Sequence, residues 1–269
     1  MIPNWLSAIR GQVPRKVAVF LGMIPIAAVF VVWYFLTQGA VEERVIAPSI
    51  LPSPREVWDS VGELIYRREL LHHILASLQR VGLSYLLALA CMLPLGILMG
   101  SFGVVRSMFT PLTTASGYIP IATLVPLTMA WFGTDEKQKI VFLAIAFAIY
   151  LLPMIIQAID SVPEIYLKTS YTLGSTKLET VFHVLIPVAL PDIWHGMRLA
   201  FGVGWTYLVL AEVVVFTDGL GYLVAFSQRR GPREHIYLVI LVIAIIAWVA
   251  DLIWSYLGSL LFPYKRSRT

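Results

Sequence analysis

Residues 168–192 read KTSYTLGSTKLETVFHVLIPVALPD, a polar stretch that follows an apolar run of membrane-spanning length. The stretch predicts two short helices joined at Leu173-Gly174, because glycine accepts the left-handed conformation that ends many helices. Ser161 precedes the first helix and is spaced from Glu164 as in a capping box, with Pro163 in the first turn. These features predict a helix-glycine-helix loop at the membrane surface.

The second helix of this loop carries its own start and stop signals. Thr176 and Glu179 have capping-box spacing, and Pro187 and Pro191 are expected to end the helix. An apolar stripe runs along one face at Leu178, Val181, Phe182 and Leu185. The pattern alone leaves two interpretations open, a docking element for another protein or an ordinary loop with two surface helices.

Composition indicates the class of protein. Of the 269 residues, 58% are hydrophobic and 13% are charged, and the mean hydropathy is +0.79. Soluble domains carry about 25% charged residues, so we predict an integral membrane protein. The net charge of +4 comes from basic residues dispersed around apolar runs, which favours basic flanks of spans over a nucleic-acid interface. The single cysteine, Cys91, allows no disulfide and is expected to be a small buried side chain.

Six apolar runs are candidates to cross a hydrocarbon core of about 30 Å. They are residues 17–37, 78–100, 108–132, 140–159, 196–216 and 236–261. The expected organisation is an arm at 1–16, one transmembrane domain at 17–262 with the loop at 160–193, and a basic tail at 263–269. The 20 lysines and arginines divide equally between the two sides, ten on each, so the basic termini decide the orientation. We expect both termini and the loop to be cytoplasmic.

The linker after the first span predicts one further helix and no metal site. Ser53, Pro54 and Glu56 supply a cap, a first-turn proline and a capping-box partner for an amphipathic helix. The adjacent His72 and His73 point in different directions on a helix and have no third ligand close in the sequence.

Helix-breaking and charged residues within the spans are candidates for a transport pathway. Pro120 and Pro126 interrupt the third span, and broken helices in membranes are buried in protein or line a wet path; a packing kink is the alternative. Glu212 and Asp251 lie in the fifth and sixth spans, where carboxylates face a bundle interior or a water-filled cavity. Each of the two either serves a pathway or hydrogen-bonds to a neighbouring helix.

Motifs for catalysis or nucleotide binding are absent from the sequence. It contains no GxSxG, no HExxH and no P-loop of the form GxxxxGK followed by Ser or Thr. If the protein performs work driven by ATP, another chain has to bind the nucleotide.

The segment YTLGSTKLETVFHVLIPVALPDIWHGMRLAFGVGW resembles the cytoplasmic EAA loop and following span of ABC importer permeases. Gly174 matches the loop glycine, Ile186-Pro187 the apolar-proline step and Leu190-Pro191 the final Leu-Pro. Four further segments, in order, resemble the nitrate/sulfonate/taurine/bicarbonate subfamily of these permeases: PSILPSPREVW, LASLQRV, IPIATLVPLTMAWFG and AEVVVFTDGLGYLV. The likeness covers about residues 48–263.

The resemblance implies an all-α integral membrane protein with six transmembrane helices and a cytoplasmic helix-Gly-helix coupling loop, the type I importer permease fold. It implies a transport subunit of the bacterial inner membrane that moves a small solute of the nitrate, sulfonate, taurine or bicarbonate class by alternating access. The expected partners are two cytoplasmic ABC ATPase subunits carrying ATP and Mg²⁺, a second permease copy or a close relative of it, an external solute-binding protein and lipid. The chain itself is expected to be no enzyme and to bind no cofactor, metal or nucleic acid.

The resemblance also assigns the site residues. The family's Glu-Ala-Ala falls on Lys168-Thr169-Ser170, which replaces an acid by a base, while Gly174 would set the angle of the coupling helix. The expected ATPase-coupling positions are Lys168, Thr169, Ser170, Leu173, Gly174, Ser175, Thr176, Leu178, Glu179, Phe182, Pro187 and Pro191. The expected pathway or gate positions are Pro120, Pro126, Glu212, Gly219 and Gly221. The alternative function is an ion-coupled secondary carrier that uses Glu212 and Asp251.

Overall fold

The computed structural model of the chain describes residues 11, 13–40, 42–214 and 217–265, and all regular structure in these ranges is helical. The predicted arm and basic tail fall largely outside these ranges, as does the predicted end of the fifth span at Phe216. The longer helices are α1 (Arg15–Thr37), α2 (Pro54–Asp59), α3 (Val61–Tyr66), α4 (Leu70–Ser101), α5 (Gly103–Tyr118), α6 (Leu124–Phe132), α7 (Glu136–Asp160), α8 (Glu164–Thr172), α9 (Lys177–Thr180), α10 (Ile186–Val214), α11 (Leu220–Arg230) and α12 (Glu234–Leu261).

Five helical segments of the described chain are long and apolar enough to cross a membrane, and a bent pair supplies a sixth. The pair is α5 with the segment Ile121–Phe132, and its two parts meet at 90°. Arg106 near the start of α5 pairs with Asp160 at the end of α7, whereas α6 leads directly into the beginning of α7. The bent pair therefore runs from one end of α7 to the other, and the predicted all-α fold of six spans is confirmed with a broken third span.

Two predicted span boundaries are wrong. The second span begins at Leu70 and not at Leu78, because Leu70, His73 and Ser77 face the protein interior and extend the helix outward by two turns. The fourth span was expected to begin at residue 140, yet α7 already begins at Glu136. Lys139 is fully buried in the first turns of α7, where its ammonium group donates to Glu136 at 2.9 Å.

The centre of the bundle is formed by α4, α7 and α10. Small residues allow α4 and α7 to approach closely: a Cβ on Gly96 would lie 2.7 Å from Ile155, and one on Gly100 would lie 2.8 Å from Ile159. Cys91 lies on the outward face of α4 and is exposed, so the expectation that it is buried is wrong. Its sequence neighbours are apolar, but α4 buries only one stripe of its surface, and Cys91 lies outside that stripe.

The first span is attached at the edge of this bundle. The Trp33 indole donates to the carbonyl of Pro52 at 2.8 Å, and the ring lies 6.4 Å from that of Tyr237. The linker then forms α2 with the predicted capping box, in which Ser53 and Glu56 exchange hydrogen bonds. Local cap chemistry thus fixes the start of this helix as predicted.

Candidate functional site: a coupling loop and a buried ionic cluster

The helix-glycine-helix geometry of the loop is confirmed. Helix α8 ends at Thr172, and Gly174 follows with φ +84°. The amide of Gly174 donates to the carbonyl of Tyr171 at 3.0 Å, and the amide of Ser175 donates to that of Ser170 at 3.2 Å. These two bonds form a Schellman motif, which requires the left-handed residue that glycine supplies.

The predicted cap of α8 is wrong. Ser161 remains in helical conformation as the last turn of α7, and its hydroxyl donates back to the carbonyl of Ala158 at 2.7 Å. Pro163 takes the N-cap position of α8 and has no side-chain group to bond the first amides. The spacing from Ser161 to Glu164 matched a capping box, but α7 extends far enough to occupy the serine.

The second helix begins as predicted and does not end as predicted. Thr176 and Glu179 form the capping box, with the Thr176 amide donating to the Glu179 carboxylate at 2.8 Å. Pro187 and Pro191 do not stop the helix, since one helical segment runs from Lys177 to Val214. A π-helical turn at Val181–Leu185 precedes Pro187 and widens the turn whose carbonyl would otherwise meet the proline ring.

The residues that replace the family's Glu-Ala-Ala are satisfied within the loop. The Lys168 ammonium pairs with Glu164 one turn earlier, at 2.8 Å, on an exposed face. Ser170 is buried and its hydroxyl lies 3.0 Å from that of Thr180, which joins α8 to α9. A small side chain is thus retained where the two helices touch.

One side of the loop is apolar and exposed. Val181 and Leu185 turn inward and pack under the loop, whereas Leu173, Leu178 and Phe182 are 82%, 60% and 62% exposed. We call the three exposed side chains the coupling surface, after the role that the resemblance predicts for this loop. An exposed apolar set on a segment tightened by caps is typical of a protein contact.

A buried ionic cluster lies at the opposite end of α7 from this loop. Arg80 of α4 is 3% exposed and donates to Glu136 at 2.5 and 2.8 Å, to Glu212 at 2.7 Å, and to Asp218. Lys139 completes the set through its bonds to Glu136 and Thr217. Two cations and three carboxylates thereby connect α4, α7, α10 and the segment before α11.

Glu212 is the buried centre of this cluster. Its carboxylate is inaccessible to solvent and accepts from the Ser77 hydroxyl at 2.7 Å and from the Gly221 amide at 2.8 Å, besides Arg80. Both predicted glycines are held against it: a Cβ on Gly219, whose φ is +107°, would lie 2.3 Å from the carboxylate carbon, and one on Gly221 would lie 2.7 Å from Glu212 Cβ. The structure brings Glu212, Gly219 and Gly221 together.

Asp218 closes the cluster outside the spans. Burial raises the pKa of the Asp218 carboxyl, but the hydrogen bond and positive charge of Arg80 lower it more, so this pKa lies below its ordinary value of 3.8. The next residue, Gly219, donates its amide to His73 Nδ1 at 2.9 Å. His73 therefore serves as a hydrogen-bond acceptor for the loop backbone, and no group of three metal-ligating side chains exists among the described residues.

The two prolines of the third span lie apart from this cluster. Pro120 is the break between α5 and α6, with Ile119 in extended conformation, and its side chain is exposed. Pro126 falls in the first turn of α6, where the missing N–H removes no helical bond. Pro120 therefore causes the break. The role of the two prolines in a pathway stays a prediction.

Asp251 is also paired within the chain. Arg198 of α10 donates to both of its carboxylate oxygens, at 2.6 Å each. Sequence reasoning identified Glu212 and Asp251 but missed their arginine partners, although an arginine within an apolar span, such as Arg80, is itself a signal of a partner.

Comparisons with known proteins agree with this fold. The family model described as "Binding-protein-dependent transport system inner membrane component" matches residues 92–266. The taurine transport system permease protein TauC of Escherichia coli K12 is 29% identical over 260 residues, covering 95% of this chain and 92% of TauC. The nitrate import permease protein NrtB of Leptolyngbya laminosa is 26% identical, covering 97% and 93%. A chain of the inward-facing MetNI methionine ABC transporter has a TM-score of 0.63 at 19% identity, covering 70% of this chain and 94% of that one.

The spans and the family match together define a membrane-spanning transport subunit. The chain belongs to the family of inner membrane components of binding-protein-dependent transport systems. It is a permease subunit of the ABC importer type, as the resemblance predicted. The comparisons give no support to the ion-coupled carrier.

Proposed function

We propose that the chain forms the translocation pathway for a small oxyanion or sulfonate and is driven by ATPase subunits that dock on the coupling surface. Its relatives transport taurine and nitrate by their names, and these solutes share a compact, negatively charged oxyanion group. ATP and Mg²⁺ bind to two partner subunits, and this chain binds no cofactor.

The observation that carries the proposal is the continuity of the segment Lys177–Val214. It starts at the capped end of the exposed loop and continues through the π-helical turn into a membrane span. A partner that contacts Leu178 or Phe182 thus touches the same helical segment that crosses the bilayer. In alternating access, rigid-body movement of this kind opens a cavity first to one side and then to the other.

The remaining parts of the assembly follow from the same proposal. Both termini and the coupling loop face the cytoplasm, and the ionic cluster faces the opposite side, where a solute-binding protein delivers the solute. A second copy of this chain completes the pathway. Two permeases and two ATPase subunits then make up the core complex.

Purification of the tagged protein from its native membrane tests this proposal. We expect an ATPase to co-purify with the unsubstituted protein and to be lost, or to hydrolyse ATP more slowly, when Phe182→Ser is introduced. Tyr66→Ser is the matched control, because Tyr66 is also exposed but lies in the external linker. A permease that purifies alone and moves solute on an ion gradient would overturn the proposal.

A further inference from the structure

A cavity at the break of the third span combines two features that do not suit contact with lipid. It has a volume of about 380 Å³ and is lined by residues 117–121 at the end of α5 and by Ile149, Tyr150 and Tyr207. No charged side chain occurs among these lining residues. The cavity is distinct from the ionic cluster and from the coupling surface.

The first feature is the interrupted backbone. The helical ladder of α5 ends at Tyr118, Ile119 is extended, and Pro120 has no N–H to continue it. The last carbonyls of a helix have no partner in their own ladder. Irregular backbone at membrane depth is tolerated where it is buried in protein or lines a water-filled cavity. Pro120 and Tyr118 are exposed, so the rest of this chain does not bury the break, and we assign it to the water-filled pathway of the proposed function.

The second feature is a pair of tyrosine hydroxyls. The hydroxyl groups of Tyr150 and Tyr207 lie 2.8 Å apart, and both side chains are half-buried at the cavity wall. One proton serves the bond between them, which leaves the second proton free to donate to another acceptor. A hydroxyl without a partner is costly in an apolar medium, so this proton needs water or solute.

The depth of the pair places it within the membrane. Tyr150 is 14 residues from the start of α7 and 10 from its end, or about 21 and 15 Å at the rise of a helix. The cavity therefore lies near the middle of the span, remote from either aqueous surface.

We infer that Tyr150 and Tyr207, with the broken backbone at Tyr118–Pro120, form a neutral hydrogen-bonding subsite for the transported oxyanion, an inference that rests on the proposed function. The phenol groups donate hydrogen bonds to the anion's oxygens and so replace the water that the anion loses on entering the span. Lipid and apolar side chains cannot donate such bonds. The absence of a cation in the lining keeps the interaction weak enough for the solute to leave. Ion and solute pathways require binding of this intermediate strength.

Transport by the intact complex in proteoliposomes tests the two hydroxyls. The probes are labelled taurine, nitrate and bicarbonate, and the measured quantity is solute moved per ATP hydrolysed. Hydrogen bonds to a charged group contribute enough that losing one corresponds to about a tenfold slower passage. We expect that loss in Tyr150→Phe and Tyr207→Phe at an unchanged rate of ATP hydrolysis. A merely structural defect would lower ATP hydrolysis as well.

Tyr256→Phe is the control, because Tyr256 lies on the exposed face of α12 away from the cavity. Unchanged solute per ATP in both cavity variants would overturn the subsite. If the unsubstituted complex hydrolyses ATP but moves none of the three probes, the substrate class of the proposed function fails. In that case the subsite is tested by whether water reaches the cavity.

Thiol labelling measures that access directly. Cys91 is the single cysteine, so Cys91→Ser gives a background free of thiols in which Tyr118→Cys reports the cavity and Val249→Cys reports the exposed face of α12. We expect a membrane-impermeant reagent bearing a sulfonate to modify the cysteine at 118 and not that at 249, and the transported solute to slow the reaction. Equal inertness at both positions overturns the inference. Modification by a cationic reagent alone overturns the oxyanion as the ligand.

Discussion

Removing the guanidinium of Arg80 should destabilise the permease far more than removing that of Arg106, which pairs with Asp160 at the opposite end of α7. In Arg80→Met, the inaccessible carboxylate of Glu212 keeps its bonds from Ser77 and Gly221 but loses its cation. Breaking a buried ion pair by removing one partner costs about 3–5 kcal/mol. The Glu136 side chain is half exposed, so solvent screens the interaction that it loses with Arg80. We therefore expect a loss of stability at the lower end of this range, about 3 kcal/mol.

The assay is the half-life of the purified, detergent-solubilised protein at a fixed temperature, read from its monodisperse peak. If half of the loss enters the unfolding rate, this half-life shortens about tenfold. Arg106→Met is the control, because the Arg106–Asp160 pair lies at the ends of its helices, is exposed, and is worth at most about 1 kcal/mol. Adding Glu212→Gln to Arg80→Met should restore most of the half-life by removing the unpaired charge. Equal half-lives for the two methionine variants, or no recovery in the double variant, would refute the reasoning.

Three further changes test other parts of the structure. Gly204→Ala should lower stability by about 1–3 kcal/mol, because its Cβ would lie 2.0 Å from a phenylalanine ring of α7, whereas Gly202→Ala has open space and should not. The pKa of the Asp218 carboxyl is lowered in the folded protein, so its contribution to stability is complete above pH 3.8 and is lost as the pH falls through that lowered pKa. The half-life of the purified protein should drop over this pH range, and it should drop less in Asp218→Asn. Gly174→Ala should reduce ATP hydrolysis by the complex without lowering the amount of protein inserted, since φ is +84° and only the angle of the loop is strained; equal hydrolysis would contradict a role in setting that angle.

Sequence reasoning succeeded where the determining interactions are local. The Thr176 and Ser53 capping boxes and the turn at Gly174 depend on residues within a few positions of each other, and all three form as predicted. The same reasoning failed at Ser161 and Pro187, where the conformation of the preceding residues, and not the cap or proline pattern itself, decided the outcome. Ser161 closes the end of α7 with its hydroxyl bonded to Ala158, so it cannot cap α8, and a π-helical turn accommodates the proline.

The ionic cluster could be predicted only in part. The charged residues within the spans are visible in the sequence, but their partners are not adjacent to them: Arg80 meets Glu136, Glu212 and Asp218 across separations of 56, 132 and 138 residues. No periodicity encodes contacts of this range. The two glycines of the segment FTDGLGYLV were assigned a gate role through the family resemblance, and the structure supplies a physical reason for them, the closeness of Glu212.

Helix α10 connects the features that the sequence presented separately. Val181 and Leu185 at the entrance to this helical segment are packed beneath the coupling loop, Tyr207 lies at the cavity within the span, and Glu212 near the far end is tied to Arg80. From Ile186 to Val214 the helix has 29 residues and a length of about 43 Å. A displacement of the loop therefore has to be absorbed along α10 or passed to the ionic cluster. Because the cluster holds α4 and α7 as well, a shift that reaches Glu212 is passed to both of these helices, and α7 carries Tyr150 of the cavity wall. This connection is what the proposed function requires of a change that starts at the loop.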